Sequence, residues 1–216
     1  MEKQLVACIS LVLCLLPVSA LFSQSDPKAM EILDQVSTHY QEANGITATF
    51  TIETQAEGEE EYRSQGELKM QEEKFFLSTP EVLTWFDGTT QWAMLVDANE
   101  VNITNPTEEE LKAVNPYVLL QLYKNGFDCT LDEQGKSGNG KTKRIVLIPT
   151  EENELEKIIL EIDTEKQYPV SIEMINKNKS RNKITVSSYK EKMKHPKEIF
   201  VFNKSQYPQT EIIDLR

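Results

Sequence analysis

Residues 135–142 have the spacing of a motif that binds phosphate. Their sequence, GKSGNGKT, is a glycine-rich loop that ends in Lys and Thr, as phosphate-binding loops do. Such a loop works only between a buried strand and a helix, because the amides of the helix N-terminus hold the anion. Here a short polar stretch, 129–134, precedes the loop, and a β-type run closed by Pro149 follows it. We therefore interpret residues 135–142 as a hairpin loop and expect no nucleotide.

Other groups that commonly act in catalysis are few or poorly spaced. His39 and His195 are the only histidines, and neither belongs to a motif of a nucleophilic or zinc site. Carboxylates are abundant, but they alternate along predicted strands or occur in runs, as they do on solvated faces. The sequence alone leaves a glycosidase pair of carboxylates open. We predict no catalytic residue, no metal and no cofactor.

Apolar side chains at alternating positions of consecutive predicted strands are the better candidates for a site. A sheet that is too large for the helices covering it leaves an apolar cavity, and such a cavity binds apolar ligands. The alternative is an ordinary core beneath the first helix. The candidate residues for binding acyl chains are Phe50, Ile52, Leu68, Met70, Phe76, Leu83, Trp85, Trp92 and Met94.

Both tryptophans flank the Asp87-Gly88 pair in a predicted hairpin. Asp-Gly favours a two-residue turn, because both turn positions need a residue that tolerates positive φ. With these two residues as the whole turn, Trp85 pairs with Thr90. Leu83 then pairs with Trp92, and the period of two puts Leu83 and both tryptophans on one face of the sheet.

One helix and many strands are predicted to position these residues. Asp26-Pro27 supplies an N-cap and a proline at the first helical position, and Asn44-Gly45 ends the helix. Alternating apolar residues then indicate a meander of strands. Its predicted strands are 46–53, 62–70, 75–77, the tryptophan hairpin, 101–103, 143–148, 155–163, 170–175, 183–189 and 199–203.

A helical insert interrupts the strands. Thr107 and Glu110 have the spacing of a capping box, and a further helix is predicted from Asn115-Pro116 to Asn125-Gly126. The chain has no repeat or linker, so we expect a single domain over residues 26–216. The fold class predicted from this pattern is α+β, with a large, curved antiparallel sheet and helices packed on one side of it.

Residues 1–25 are predicted to be a cleaved export signal. Residues 5–16 form a nearly unbroken apolar run, and residues 17–20 offer a cleavage region of small side chains. Cleavage after residue 20 and cleavage just before Asp26 fit equally well. An exported chain with such a signal is expected in the periplasm.

Two alternatives for the N-terminus stay open. An uncleaved anchor is disfavoured because the apolar run is short and contains a proline, and lipidation of Cys14 is disfavoured by the bulky Leu13 before it. With the signal removed, Cys129 is the only cysteine, so no internal disulfide forms and a buried thiol is expected.

The composition also limits the partners. The formal net charge is −12, which argues against binding nucleic acid or anionic membrane surfaces. After residue 25 no apolar run is long enough to cross a membrane.

Several segments carry a family resemblance in their order along the chain. They are the first helix leading to Ala48-Thr49-Phe50, then Gly66-Glu67-Leu68, Trp85-Phe86-Asp87-Gly88 with Trp92, Asn115-Pro116, Phe200-Val201-Phe202 and the ending Ile213-Asp214-Leu215-Arg216. In this order they resemble the periplasmic lipoprotein carrier (LolA) family, in its variant from Bacteroides-like bacteria. The resemblance covers nearly the whole mature chain.

The resemblance implies an incomplete, strongly curved β barrel with a helical lid over a cavity for lipoprotein acyl chains. It implies no catalysis, metal or nucleotide. Its expected partners are an inner-membrane lipoprotein-releasing ABC transporter and an outer-membrane acceptor, with the chain itself a monomer. We place the lid at Leu111, Val114, Val118 and Leu122.

One departure from the family concerns the latch of the lid. Better-known members have an Arg-Pro pair where this chain has Glu72 and Glu73, with Lys74 and Arg63 as the nearby substitutes. The function expected is that of a carrier that shuttles lipoproteins from the inner to the outer membrane. The alternatives are a lipid-binding envelope sensor of the same fold without transport, and a secreted hydrolase.

Overall fold

The computed structural model describes residues 25–107, 110–111, 122–124, 126–133 and 141–216. The predicted export signal, the predicted lid residues Val114 and Val118, and most of the loop at 135–142 lie outside the described residues. Leu122 is described only by its backbone, in a 3₁₀ helix at Leu122–Lys124.

The first helix, α1, spans Pro27–Glu42 and confirms the predicted caps. The Asp26 carboxylate accepts a 2.8 Å hydrogen bond from the Lys28 amide, which satisfies one of the free donors of the first turn. After the helix, Gly45 has φ +105°, and a Cβ there would lie 1.9 Å from the Met193 carbonyl oxygen. Only glycine fits this position, which joins the helix end to the strand that follows.

The described strands form one sheet. They are β1 (Ile46–Gln55), β2 (Tyr62–Gln71), β3 (Lys74–Ser78), β4 (Val82–Phe86), β5 (Gln91–Leu95), β6 (Glu100–Thr104), β7 (Phe127–Asp132), β8 (Thr142–Pro149), β9 (Leu155–Asp163), β10 (Tyr168–Asn176), β11 (Arg181–Glu191) and β12 (Glu211–Asp214). Their order is β12-β6-β5-β4-β3-β2-β1-β11-β10-β9-β8-β7. All neighbours are antiparallel except β12 and β6, which are parallel. Since β12 and β7 do not pair with each other, the curved sheet stays unclosed.

Helix α1 covers one part of one face of the sheet, which we call the inner face. Its buried side chains pack onto β7, β8, β9 and β10. The free thiol of Cys129 lies in this core, as predicted, and burial raises its pKa to about 11. The buried residues of the cluster are Ala29, Leu33, Val36, Tyr123, Cys129, Ile145, Leu147, Ile158, Leu160, Ile162 and Ile172.

The tryptophan hairpin differs from the prediction in its register. Trp85 pairs with Trp92, so the loop has four residues, 87–90, and the predicted two-residue turn is wrong. The cause is the Asp87 carboxylate, which accepts hydrogen bonds of 2.9 and 2.8 Å from the amides of Thr89 and Thr90. These bonds close a wider loop by themselves. Leu83 still shares a face with both tryptophans, as predicted.

Three other elements differ from the sequence prediction. The predicted strand at 199–203 is wrong, because Lys197–Phe200 is a 3₁₀ helix after Pro196. Its alternating aromatic residues pack onto the sheet instead of joining it. The prediction also lacks two edge strands. Strand β12 has only four residues, whereas in β7 Phe127, Cys129 and Leu131 do alternate with polar residues.

A strand, β8, begins at residue 142, where a phosphate-binding loop would be followed by a helix. This agrees with the interpretation of 135–142 as a hairpin loop. In the part of the chain that the structure describes, no helix is long and apolar enough to cross a membrane.

Candidate apolar ligand-binding site

A cavity of about 290 Å³ lies between the C-terminal half of α1 and the inner face of the sheet. Strands β1, β2, β10 and β11 form most of its wall, and β3 and β4 each add one residue. Its described lining is Val36, Tyr40, Ala48, Phe50, Ile52, Leu68, Met70, Leu77, Thr84, Gln167, Tyr168, Pro169, Ile172, Met174, Ile184, Val186 and Tyr189.

The cavity exists because one helix covers only part of a wide sheet. Ala29 and Leu33 of α1 are buried against β7 to β10, whereas only Val36 and Tyr40 reach the cavity. Beneath them the sheet carries a small side chain, Ala48, which lies between Leu68 on one neighbouring strand and Tyr189 on the other. A larger residue at this position would fill the space.

Phe50 forms part of the cavity wall through a close approach to Gly66. The two residues are register partners on β1 and β2. A Cβ on Gly66 would lie 2.4 Å from the Phe50 ring and 2.8 Å from the Ser78 carbonyl oxygen. The absence of a side chain at residue 66 therefore sets the position of the Phe50 ring.

Tyrosines concentrate at the end of the cavity near the C-terminus of α1. The rings of Tyr168 and Tyr189 stack with 4.4 Å between their centres and an angle of 8° between their planes. The Tyr40 hydroxyl donates a 3.1 Å hydrogen bond to the Met70 sulfur. Burial, the Glu191 carboxylate and Tyr168 together raise the pKa of Tyr189, so its hydroxyl stays a neutral donor at physiological pH.

Charge is kept out of the lining. No Asp, Glu, Lys, Arg or His occurs among the described residues that line the cavity. Just outside it, His39 Nε2 lies 3.2 Å from Glu191 Oε1. Among the described residues no group of three His, Cys, Asp or Glu side chains is placed to hold a metal ion. The arrangement favours the burial of an apolar ligand.

Four of the nine predicted site residues line the cavity: Phe50, Ile52, Leu68 and Met70. They lie on β1 and β2 and face the second half of the sheet across the cavity. The other five are brought together elsewhere. Phe76, Leu83, Trp85, Trp92 and Met94 lie on the opposite, outer face of β3, β4 and β5.

The residues on the outer face form a core of their own beneath the C-terminal segment. Trp85 is 5% exposed, and its ring centre lies 5.4 Å from that of Phe202 and 5.6 Å from that of Tyr207, both edge-on. Met94 and Val101 are buried in the same cluster. The prediction of a sheet that is apolar on one face fails here, since β3, β4 and β5 carry apolar residues on both faces. The second apolar face is explained by its cover, the segment 200–210.

The sequence prediction missed the wall that comes from the second half of the chain. Ile172 and Met174 alternate on β10, and Ile184 and Val186 face the cavity from β11. The same period-two signal that indicated the first half was present there. Strand alternation alone does not reveal that β11 pairs with β1, which brings the two halves together.

The structure describes two parts of the predicted lid region, which are the side chain of Leu111 and the capping box of Thr107 and Glu110 before it. Leu111 packs against the cluster of Met70, Phe75 and Phe86, which adjoins the cavity. The predicted capping box is confirmed, because Glu110 accepts a 2.7 Å hydrogen bond from the Thr107 amide and the Thr107 hydroxyl accepts one of 3.3 Å from the Glu110 amide. The hydrogen bonds from Thr107 lower the pKa of Glu110.

The glutamates at the family's latch position lie at the turn between β2 and β3. Glu72 and Glu73 border a smaller pocket of about 190 Å³ that shares Tyr40 and Met70 with the cavity. Lys74 lies 3.7 Å from Glu72, and Arg63 lies 3.5 Å from Glu53. Lys74 and Arg63, the two candidate substitutes for the latch, therefore pair with nearby glutamates and do not line the described part of the cavity.

A family model identifies the group of proteins to which this architecture corresponds. The model, described as outer membrane lipoprotein carrier protein LolA, matches residues 19–178. No curated protein has a sequence that matches the chain.

Solved structures share the fold at low sequence identity. An uncharacterized conserved protein from Thermus thermophilus has a TM-score of 0.59 and 13% identity, over 87% of this chain and 99% of that one. A protein described as an outer membrane lipoprotein-sorting domain from Vibrio parahaemolyticus has a TM-score of 0.47 and 13% identity, over 84% and 99%. A LolA superfamily protein from Nitrosomonas europaea has a TM-score of 0.43 and 11% identity, over 81% and 97%. At this identity the similarity to the Thermus protein shows the fold alone.

Proposed function

Since the chain belongs to the family of outer membrane lipoprotein carrier proteins, we propose that it is a periplasmic carrier that binds lipoprotein acyl chains in its apolar cavity. It takes the lipoprotein from an inner-membrane ABC transporter and delivers it to an outer-membrane acceptor. The chain acts as a monomer without catalysis. Its export signal is the cleaved segment 1–25.

The observation that carries this proposal is the uncharged cavity of about 290 Å³ between α1 and the inner face. Its volume is about twice the ~150 Å³ of a dry apolar cavity that holds benzene, so it has room for roughly a dozen carbon atoms. At ~0.8 kcal/mol for each buried CH₂, a chain of that length supplies up to about 10 kcal/mol of gross driving force.

Transfer without a fuel requires that the ligand be held loosely. A wall of methionines, tyrosines and aliphatic side chains adapts to the methylene groups of an acyl chain and holds them by apolar contact alone. Helix α1 lies over the cavity and Leu111 packs against the adjoining cluster, and movement of α1 and Leu111 opens the cavity. The ligand then passes to the acceptor with the higher affinity.

The proposal is tested by native mass spectrometry and lipid extraction of the mature protein purified from its own periplasm. We expect a bound lipoprotein or acyl lipid. The Ile184→Asp variant places a carboxylate in the cavity and should lose the ligand. Thr185→Asp on the same strand points to the outer face and should keep it, and circular dichroism should show that both variants are folded.

Transfer is tested with the loaded protein and acceptor vesicles. Movement of labelled lipoprotein into the vesicles that carry the acceptor supports a carrier. Retention of the ligand under all conditions would indicate a binding protein or sensor without transport. An empty wild-type protein that also ignores added acyl probes would overturn the proposal.

A further inference from the structure

The cavity differs in polarity between its two ends. At one end, the tyrosine end, lie Tyr40, Gln167, Tyr168 and Tyr189. At the other, the aliphatic end, Ile52 pairs with Ile184, which in turn pairs with Ile172, and Met174 follows. The strand register separates the ends, because Ala48 pairs with Tyr189 and Ile52 with Ile184 along the same two strands.

Polar groups at the tyrosine end have unused hydrogen-bonding capacity. Within the described residues, the hydroxyls of Tyr168 and Tyr189 and the side-chain amide of Gln167 have no hydrogen-bond partner. A neutral carbonyl oxygen supplied by a ligand can accept hydrogen bonds from these donors in place of water. Gln167 lies at the β9–β10 turn with φ +55° and directly precedes Tyr168 in the chain.

The charges around this end do not suit a carboxylate. The Glu191 carboxylate is close enough to Tyr189 to raise its pKa, and the same negative charge repels a second anion. The Lys166 ammonium lies 6.0 Å from the centre of the Tyr168 ring, but Lys166 is exposed and does not line the cavity. Solvent screens its charge. The groups left to contact the polar end of the ligand are the hydroxyls of Tyr168 and Tyr189 and the side-chain amide of Gln167.

We infer that the cavity binds an acylated ligand in one orientation, with the chain toward the aliphatic end and a neutral ester or amide carbonyl at the tyrosine end. The ligand class is therefore O-acyl or N-acyl compounds rather than free fatty acids. This inference rests on the proposed function, because it assigns the polar part of the ligand that the proposed carrier holds.

The test compares ligands that share one chain but differ at the head. Methyl laurate and laurate compete at pH 8 with N-phenyl-1-naphthylamine, a fluorescent apolar probe without a carbonyl. The double variant Tyr168→Phe/Tyr189→Phe removes only two hydroxyls and keeps both rings. At about fivefold for each hydrogen bond, the affinity for methyl laurate should fall at least fivefold, while the probe binds as before. Tyr207→Phe on the outer face is the matched control and should change neither affinity.

A second variant tests the orientation by a gain of binding. Gln167→Lys places an ammonium at the tyrosine end, and lysine is tolerated at positive φ elsewhere in this chain, at Lys179 and Lys192. A charge-assisted hydrogen bond should raise the affinity for laurate about tenfold without changing that for the probe. The same charge at the other end, in Met174→Lys, should weaken all three ligands.

The outcomes separate the inference from the proposed function. If the probe binds but neither variant at the tyrosine end alters the selection between ester and carboxylate, the inference is overturned and the carrier proposal stands. If the wild-type protein binds neither the probe nor methyl laurate, both are overturned.

Discussion

At the scale of single residues, two small side chains decide where the cavity lies. Ala48 leaves space on the inner face of β1, and Gly66 lets the Phe50 ring lie across β2. The alternation in the sequence puts both residues on the inner face. It does not show that they lie on the part of this face that α1 leaves uncovered. That depends on which strands α1 covers, a matter of tertiary packing that periodicity does not report.

Gly66→Ala should destabilise the fold. The added methyl group meets the Phe50 ring and the Ser78 carbonyl oxygen at distances that no relaxed structure tolerates. We expect a loss of about 1–3 kcal/mol in the free energy of unfolding, measured by urea denaturation. The double variant Gly66→Ala/Phe50→Leu should recover part of this loss, because the ring is gone. Equal losses in the single and double variants would contradict the contact.

Ala48→Leu should block binding without harming the fold. The larger side chain fills the cavity beneath Val36 and Tyr40, so the melting temperature should stay equal or rise while the probe's affinity falls at least tenfold. Thr49→Leu adds the same side chain to the exposed face of the same strand. Unchanged probe binding in Ala48→Leu would mean that the ligand lies elsewhere.

At the scale of elements, alternation predicts most strands but does not tell which face of the sheet carries the cavity. It placed most strands and α1 correctly, since caps, proline and period-two patterns act locally. It assigned the tryptophan hairpin to the ligand site, because apolar strands look alike whichever layer covers them. The cover of the outer face is the segment 200–210, which holds Phe202 and Tyr207 against Trp85 although its sequence pattern predicts a strand.

Phe202→Ala should therefore separate stability from binding. Removing the ring exposes Trp85 and its neighbours, and we expect a loss of about 2–3 kcal/mol in the free energy of unfolding, since Phe202 is only half-buried. The affinity for the probe should be unchanged, because the cavity is on the other face. If Phe202→Ala instead lost affinity for the probe and kept its stability, the tryptophan hairpin would be part of the ligand site.

At the scale of the whole molecule, the sheet is wider than the helix that covers it. Helix α1 and strands β7 to β10 form a closed core, and β1, β2, β10 and β11 border the cavity. The fold class follows from the sequence, as does the expectation of an apolar ligand. The division of the inner face into core and cavity does not, because it depends on the pairing of β1 with β11, two strands that are far apart in the chain.

A ligand in such a cavity should stabilise the whole fold. Binding only to the folded state adds about 2.7 kcal/mol at a ligand concentration 100 times the dissociation constant. The delipidated wild-type protein should therefore melt at a higher temperature when methyl laurate is added. Ala48→Leu should show no such shift in calorimetry, and an equal shift in both proteins would contradict binding in the cavity.

The most direct test of ligand binding between α1 and the inner face is to map the ligand by photocrosslinking. An acyl ester with a diazirine at the end of its chain is bound to the mature protein, irradiated, and located by peptide sequencing in the mass spectrometer. We predict labels on the aliphatic end of the cavity, at Ile52, Ile172, Met174 and Ile184. Labels on Trp85, Trp92 or Tyr207 instead would show that the outer face holds the ligand and would contradict binding in the cavity.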